Sequence, residues 1–393
     1  MHYLPATLLA FLSILSQVFG GKVLVFPLDA SHWVNMMVLI EELHTRGHNV
    51  TVLRASNSWY IKEKSPFYNS ITVYNSGGIE KELFDAFTKH ILVIRREKLS
   101  FWTHLSLMHR NQLVLMGKIF ENKDLMASLQ TAKYDLVLTD PAFGGGVFLA
   151  HRLGLPLVLN VRWTMHGEAH YEIAPSPLSY VPVPGVELTD KMTFGERVQN
   201  VMAYMFSVYH KTRFVSSHYH SFYIWLMRND FTFEFPRPTM PNIVYMGGFQ
   251  CKPARPLPDD LDEFVQSSGD HGLIVMSLGT LFSQLPQDIT EEIAAAFARL
   301  PQKIIWRHTG PRPVNIGDNT LLVDWLPQND LLGHPQTKML ITHGGTNGIQ
   351  EAIYHGVPIL GLPIIFDQPD NLSRMKVRGL HIVVIVALDL HFL

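Results

Sequence analysis

The sequence lacks several features that define common protein classes. Its 393 residues contain a single cysteine, Cys251, so no internal disulfide can form. Charged residues make up 17% of the chain and the formal net charge is −2, which excludes the basic excess of nucleic-acid-binding proteins. No repeat of solenoid length occurs, and beyond the N-terminus no apolar run is long enough for a membrane helix. The length is sufficient for two domains with substantial cores.

The N-terminus carries the longest apolar run, residues 4–19, followed by Gly20 and Gly21. Val18 and Gly20 satisfy the small-residue rule for signal-peptide cleavage, although no Lys or Arg precedes the run. An uncleaved anchor is the alternative, but roughly 16 apolar residues are short for a bilayer span. We therefore predict a signal peptide over residues 1–20 and delivery to the endoplasmic reticulum.

Short apolar runs alternate with helical patterns along the chain. In the first half they predict strands at residues 22–28, 49–53, 134–139, 155–161 and 242–248. In the second half they predict six strands, at residues 273–278, 303–306, 320–324, 338–342, 358–362 and 382–387. Helices are predicted over residues 34–45 and 289–300, and residues 57–130 and 193–229 are expected to be mostly helical. Continuous apolar runs are typical of parallel strands covered on both faces, so the predicted fold class is α/β, with two doubly wound, Rossmann-like domains.

A change of composition separates the two halves. Residues 251–272 contain Pro253, Pro256 and Pro258 followed by acidic residues, which is typical of an interdomain linker. We therefore predict a first domain over residues 21–250 and a second over residues 273–393.

Three consecutive glycines, residues 144–146, follow a predicted strand and open a helix. Their spacing is not the GxGxxG of dinucleotide-binding folds, and the second half has no such motif either. This argues against the main alternative enzyme class, an NAD-dependent dehydrogenase. We interpret the glycines as a site of close packing between helix and sheet.

The most informative segment lies in the second half, at residues 325–371. A predicted strand turns through His343, Gly344 and Gly345 into a helix. The N-terminus of a helix presents unpaired N–H groups and the positive end of the helix dipole, which suits a diphosphate. Asn347 and Glu351 are four residues apart and share one helical face. A glycine pair taken alone would indicate only a tight turn.

Three motifs in this segment occur together. They are WxPQ at residues 325–328, THGGxNGxxE at 342–351 and DQPDN at 367–371. Their order and spacing resemble the donor-binding signature of UDP-glycosyltransferases, and the similarity to vertebrate UDP-glucuronosyltransferases covers most of residues 20–380. The resemblance implies a GT-B type fold, with an acceptor-binding domain at 21–250 and a UDP-sugar-binding domain at 273–393. Family members normally continue to a membrane anchor, so the second domain is expected to be truncated.

His32 and Asp140 each follow a predicted strand of the first half. Histidine can accept a proton near neutral pH, and a carboxylate on its other ring nitrogen would fix the tautomer. The resemblance makes His32 the catalytic base and Asp140 its partner. Without the resemblance, His32 is one of 20 histidines and could equally be a surface loop residue.

The resemblance also assigns roles on the donor side. Trp325 stacks on uracil, Gln328 bonds the base or ribose, and Glu351 accepts from the ribose hydroxyls. The diphosphate is faced by Ser277, Gly279, Thr280, His343, Gly345 and Asn347, with Thr280 at a position where the family more often has Ser. Asp367 and Gln368 bind the sugar. Arg307 could neutralise phosphate charge or form a surface salt bridge.

The predicted function is that of an inverting glycosyltransferase. It moves a sugar, with glucuronic acid favoured, from a UDP-sugar to hydroxyl groups of small lipophilic acceptors. UDP-glucose and UDP-galactose stay open as donors, and neither a metal nor a cofactor beyond the UDP-sugar co-substrate is implied. The alternative is a truncated, weakly active or inactive partner of full-length relatives. We expect the chain in the lumen of the endoplasmic reticulum, with or without membrane association, and associated with relatives or with itself.

Overall fold

The computed structural model describes residues 20–74, 116–164, 170, 173–214, 223–280, 282, 284–379 and 381–382. They form two parallel sheets of seven and six strands, each covered by helices. The predicted signal peptide lies almost wholly outside the described residues. Within them, no helix has the length and hydropathy needed to cross a bilayer.

The first sheet has the strand order β3-β2-β1-β4-β5-β6-β7, and all its strands are parallel. Its strands are β1 Lys22–Phe26, β2 Asn49–Ala55, β3 Asn69–Val73, β4 Leu136–Thr139, β5 Leu157–Val161, β6 Tyr223–Met227 and β7 Ile243–Tyr245. Its helices are α1 Ser31–Thr45, α2 Lys123–Thr131, α3 Gly145–Leu153 and α4 Phe194–Phe214, with a 3₁₀ turn at Pro141–Phe143. Residues 116–121 are also helical.

The second sheet has the order β10-β9-β8-β11-β12-β13 and is parallel throughout. Its strands are β8 Leu273–Ser277, β9 Lys303–Arg307, β10 Thr320–Val323, β11 Thr337–Thr342, β12 Ile359–Gly361 and β13 His381–Ile382. The helices of this half are α5 Asp259–Gln266, α6 Gln287–Phe297, α7 Gln328–Leu332, α8 Thr346–His355 and α9 Gln368–Val377, with a 3₁₀ turn at Gly269–His271.

In each sheet the strand order reverses direction at one pair of neighbouring strands. In the first sheet this pair is β1 and β4, where Phe26 is in register with Thr139. In the second it is β8 and β11, where Ser277 is in register with Thr342. Ligands of open α/β sheets bind at such a point, beyond the carboxyl ends of the strands. The loops after these four strands are therefore the expected site.

The predicted α/β class with two doubly wound domains is confirmed, including six strands in the second half. Two strands were wrongly expected to lie in helical regions, namely β3 and β6. β6 reads YIWLM, and so short an apolar run does not distinguish a strand from a buried helix. The tail strand predicted at 382–387 is described only over His381–Ile382, and the rest of it lies outside the described residues.

The triple glycine lies where α3 crosses the first sheet. A Cβ at Gly146 would lie 2.1 Å from the Thr139 Oγ1, and one at Gly145 would lie 2.7 Å from the Phe26 ring. Neither position therefore has room for a larger side chain. This close approach agrees with the interpretation of the glycines as packing residues, and it holds α3 against the strand that leads into Asp140.

The two halves are joined by buried polar contacts behind the strand ends. The Asp370 carboxylate, on α9, accepts hydrogen bonds from the backbone N–H groups of Gly185 and Glu187 at 2.6 and 2.9 Å. Arg378 of the same helix donates to the Glu234 carbonyl at 2.7 Å. These contacts connect α9 of the second sheet to loops of the first sheet.

We predict that Gly146→Ala destabilises the protein by about 1–3 kcal/mol, because the new methyl group overpacks the contact with Thr139. Urea unfolding measures this change. Gly195→Ala is the matched control, since a Cβ there meets nothing within 4 Å and alanine is favoured in a helix by up to about 1 kcal/mol. If Gly146→Ala were as stable as Gly195→Ala, α3 could move away from Thr139 with no loss in the free energy of unfolding, and the prediction would be wrong.

Candidate active site

A cavity of about 400 Å³ lies between the carboxyl ends of the two sheets. All thirteen residues predicted from the sequence line it. They are His32, Asp140, Ser277, Gly279, Thr280, Trp325, Gln328, His343, Gly345, Asn347, Glu351, Asp367 and Gln368. Residues from both halves of the chain therefore meet at one site, with His32 and Asp140 on one side and the donor motifs on the other.

His32 and Asp140 form a hydrogen-bonded pair. The Nδ1 of His32, in the first turn of α1, lies 2.6 Å from the Oδ2 of Asp140, which follows β4. The other carboxylate oxygen accepts from the backbone N–H of Ala142 at 3.0 Å, which holds the carboxylate in place. Because Nδ1 is occupied, Nε2 is the ring nitrogen that can accept a proton.

The environment sets the protonation state of this pair. Burial lowers the pKa of His32 below 6.5, and Arg162 and Arg228 lower it further, although Asp140 acts in the opposite direction. Burial by itself raises the pKa of Asp140, but His32 and Arg228 outweigh it and hold that pKa below 3.8. At neutral pH the pair is therefore a neutral imidazole beside a carboxylate.

Two glycine turns enclose the ring of His343. Gly279, which follows β8, has φ +74°, and a Cβ there would lie 2.6 Å from the His343 ring. A Cβ on Gly345 would also lie 2.6 Å from that ring. Both turns therefore require glycine. The N-terminus of α8 begins immediately after Gly345, so its unpaired N–H groups border the cavity.

Hydroxyl groups complete this part of the cavity. The Thr280 Oγ1 is buried and has no hydrogen-bond partner among the described residues, which leaves it able to donate to a ligand. The Ser277 Oγ accepts from the backbone N–H of Gly279 at 3.3 Å and so supports the turn.

The His343 ring is neutral at physiological pH, because burial and Arg162 lower its pKa to about 4.

The far end of the cavity carries an exposed aromatic ring. The Trp325 side chain is 60% exposed, and the Arg307 guanidinium lies 5.5 Å from its ring centroid. Arg307 also donates to the carbonyls of Gly279 and Asp324. Its contacts are therefore with backbone and ring rather than with a surface carboxylate.

Glu351 and Gln328 are linked at this end of the cavity. The Gln328 Nε2 donates to the Glu351 Oε2 at 2.6 Å. Burial raises the pKa of Glu351 to about 6. A carboxylate with one oxygen so engaged still has acceptor capacity for ligand hydroxyls.

Asp367 and Gln368 begin α9 and are both buried. The Asp367 Oδ2 accepts from Thr346 and Asn371, each at 2.8 Å. The Gln368 Oε1 accepts from the backbone N–H groups of Ile364 and Ile365. These bonds fix both side chains and leave Asp367 Oδ1 as an acceptor and the Gln368 amide nitrogen as a donor.

Two arginines near the site were missed by the sequence analysis. Arg162 lines the cavity and directly follows β5, while Arg228 directly follows β6 and is fully buried. Arg162 donates to the Ser31 Oγ at 2.7 Å, and its Nε lies 3.8 Å from the Asp367 Oδ2. Burial lowers the pKa of Arg228 to about 9, so it stays charged at neutral pH. Both arginines follow the end of a strand, and this position was the signal available in the sequence. Arg228 was missed because β6 was not predicted to be a strand.

The described residues contain no group of three or more His, Cys, Asp or Glu side chains placed to hold a metal ion. Arg162, Arg255 and Arg307 line the cavity and contribute positive charge to it, and the N-terminus of α8 adds a partial positive charge.

Two doubly wound parallel sheets that face one cavity define the GT-B glycosyltransferase fold. Solved structures share it. A UDP-glucosyltransferase from Polygonum tinctorium aligns with a TM-score of 0.60 over 92% of this chain and 83% of its own, at 16% identity. Phytolacca americana UGT2, complexed with UDP-2-fluoro-glucose and pterostilbene, aligns with a TM-score of 0.57 over 92% and 84%, at 18% identity.

The family of UDP-glucuronosyl and UDP-glucosyl transferases matches residues 21–389, and the chain belongs to this family. The UDP-glucuronosyltransferase 2A2 of Homo sapiens is 40% identical over 401 residues, which cover 94% of this chain and 74% of the relative. The 2A3 enzyme of Cavia porcellus is 41% identical over 404 residues, covering 95% and 76%. The protein is therefore a UDP-glycosyltransferase, an enzyme that transfers a sugar from a UDP-sugar.

The raised pKa of Glu351 predicts how donor binding depends on pH. The carboxylate is ionised above pH 6 and loses acceptor strength as it is protonated below that pH. Affinity for a UDP-sugar should therefore fall several-fold between pH 7 and pH 5, as measured by calorimetry. Glu351→Gln should bind more weakly at pH 7 and lose this dependence, while the exposed Glu292→Gln on α6 should behave as wild type. A wild-type affinity independent of pH would contradict the assignment.

Proposed function

We propose that this enzyme transfers glucuronic acid from UDP-glucuronate to hydroxyl groups of small lipophilic acceptors, with inversion at the anomeric carbon. The observation that carries this proposal is the pairing of His32 with Asp140 beside the cavity that also holds the donor motifs. The 40% identity between this chain and the UDP-glucuronosyltransferase 2A2 of Homo sapiens supports the choice of sugar.

His32 acts as the general base. Its Nδ1–H donates to Asp140, so Nε2 accepts the proton of the acceptor hydroxyl. The acceptor oxygen then forms a bond to the anomeric carbon as the bond from that carbon to the diphosphate oxygen breaks, and UDP leaves with the electron pair. A single displacement of this kind inverts the anomeric configuration. Asp140 remains ionised and stabilises the imidazolium.

Charge on the departing diphosphate is met without a metal ion. The N–H groups at the start of α8 border the cavity, and the Thr280 hydroxyl has no hydrogen-bond partner among the residues that the structure describes. Arg162 adds a positive charge at the cavity wall. Such preorganised donors stabilise developing negative charge effectively because they need no reorganisation during the reaction.

Arg162 also supports glucuronate as the sugar. It lies 3.8 Å from Asp367, one of the two predicted sugar-binding residues, with the buried charge of Arg228 nearby. Among the described residues, the buried Arg162 Nε has no hydrogen-bond partner. A sugar carboxylate would satisfy this cationic group, whereas the neutral hydroxymethyl group of glucose would not.

The acceptor side of the cavity is largely apolar. Leu28, Trp59, Trp163 and Phe366 all line it, and Trp163 and Phe366 meet edge to face with centroids 6.4 Å apart. A wall of this kind favours lipophilic acceptors whose hydroxyl group reaches His32.

The remaining sequence predictions concern location and partners. The domain boundaries, residence in the lumen of the endoplasmic reticulum and association with relatives or with itself stay predictions. So does the alternative of an inactive partner, which turnover of a UDP-sugar by the purified chain would rule out.

We expect His32→Ala to abolish transfer while UDP affinity stays within about twofold of wild type, because His32 touches the acceptor rather than the nucleotide. Asp140→Asn should lower kcat by about 10²–10⁴-fold, since the ring loses its orienting carboxylate. Steady-state kinetics and calorimetry measure both. Loss of UDP binding in both variants would show that the pair has a structural role.

The same pair predicts the pH profile. Because the pKa of His32 lies below 6.5, kcat/KM should be flat near pH 7 and fall on the acidic side as the base is protonated. Asp140 raises the pKa of His32, so residual activity of Asp140→Asn should decline only at lower pH. If kcat/KM of Asp140→Asn began to fall at a higher pH than kcat/KM of the wild type, the assignment of His32 as base would be contradicted.

Arg162→Met tests the choice of sugar. If Arg162 binds the sugar carboxylate, kcat/KM for UDP-glucuronate should fall at least tenfold more than kcat/KM for UDP-glucose. If it binds only the diphosphate, both values should fall equally. Arg46→Met, at an exposed arginine on α1 paired with Glu42, is the control and should change neither value.

A further inference from the structure

Two asparagine side chains form a reciprocal pair between the halves of the chain. The Asn35 Nδ2 donates to the Asn347 Oδ1 at 3.0 Å, and the Asn347 Nδ2 donates to the Asn35 Oδ1 at 2.7 Å. Asn35 is only 1% exposed. Each side-chain amide therefore provides the hydrogen-bond partners of the other at a position that is almost inaccessible to water. If the two halves separated, the buried Asn35 amide would lose these hydrogen bonds.

The pair joins the two elements that carry the reacting groups. Asn35 is three residues after His32 on α1, so both lie on one helical face. Asn347 is in the first turn of α8, two residues after Gly345. The Asn35–Asn347 pair therefore connects the helix that carries His32 directly to the first turn of α8.

Arg228 holds the same end of α8. Its guanidinium donates to the Asn347 Oδ1 at 3.2 Å, and its carbonyl accepts from the Gln350 side chain, one turn along the helix. The Asn347 oxygen thus receives two hydrogen bonds from the acceptor half. This arrangement orients the Asn347 side chain toward α1 and β6.

We propose that Asn35 and Asn347 are positioning residues that set the distance from His32 to the anomeric carbon, an inference that rests on the proposed role of His32 as base. Asn347 then acts on the reaction through Asn35, and the diphosphate is bound by the backbone N–H groups of α8 rather than by the Asn347 side chain. The resemblance to known enzymes assigns Asn347 to the phosphates and assigns nothing to Asn35.

The proposal predicts a particular kinetic pattern. A small displacement of a base from its substrate lowers the rate strongly, by up to 10²-fold for about 1 Å. Asn35→Ala and Asn347→Ala should each lower kcat at least tenfold and leave the affinity for UDP within about twofold of wild type. The double variant should lose no more activity than either single variant, because both remove the same link.

Gln250→Ala is the matched control. Its side chain forms another amide–amide hydrogen bond to α8, from Gln250 Nε2 to Gln350 Oε1 at 2.8 Å, but it does not reach α1. This variant should keep wild-type kcat. Asn347 is less buried than Asn35, so Asn347→Ala tests the proposal even if Asn35→Ala fails to fold.

A second measurement does not depend on transfer. Hydrogen exchange of the α1 amides should slow when UDP binds to the wild-type chain, because the pair connects α8 to α1, and this protection should vanish in Asn347→Ala. A weaker UDP affinity in Asn347→Ala with unchanged kcat would overturn the proposal in favour of a phosphate ligand. Multiplicative losses in the double variant would also overturn it. If the wild-type chain transferred no sugar but its α1 amides were still protected when UDP binds, only the proposed function would be contradicted.

Discussion

The structure depends on one geometric constraint, namely that parallel strands all point their carboxyl ends toward the same edge of a sheet. Where the strand order reverses, the loops after two neighbouring strands diverge and leave a crevice. Each half of this chain has one such crevice, after β1 and β4 and after β8 and β11. Because the crevices face each other, a base from one half can reach a sugar held by the other.

Electrostatics then distinguishes the two sides of the cavity. Burial and the nearby arginines favour the neutral form of His32 and His343 at neutral pH. Two of the fixed positive charges, Arg162 and Arg228, follow neighbouring strands of the first sheet. The half that carries His32 therefore also places positive charge near Asp367 of the second half.

Such a site requires that the two halves keep a fixed separation. The contacts of Asp370 with Gly185 and Glu187 hold the halves together behind the cavity, while the amides of Asn35 and Asn347 connect them beside it. The contacts of Asp370 stabilise the arrangement of the two halves. The amide pair links α1, which carries His32, to the first turn of α8.

The sequence by itself determined the α/β class and the six strands of the second half, because apolar runs are local signals. Thirteen of the residues that line the cavity were assigned through motifs that resemble those of UDP-glycosyltransferases. The sequence did not reveal β6 or Arg228, since five apolar residues such as YIWLM suit a helix or a strand equally. Nor could it pair Asn35 with Asn347, which lie 312 residues apart. Such contacts exist only once both sheets have folded and docked, and the charge of each histidine likewise follows from burial, which is a property of the tertiary structure.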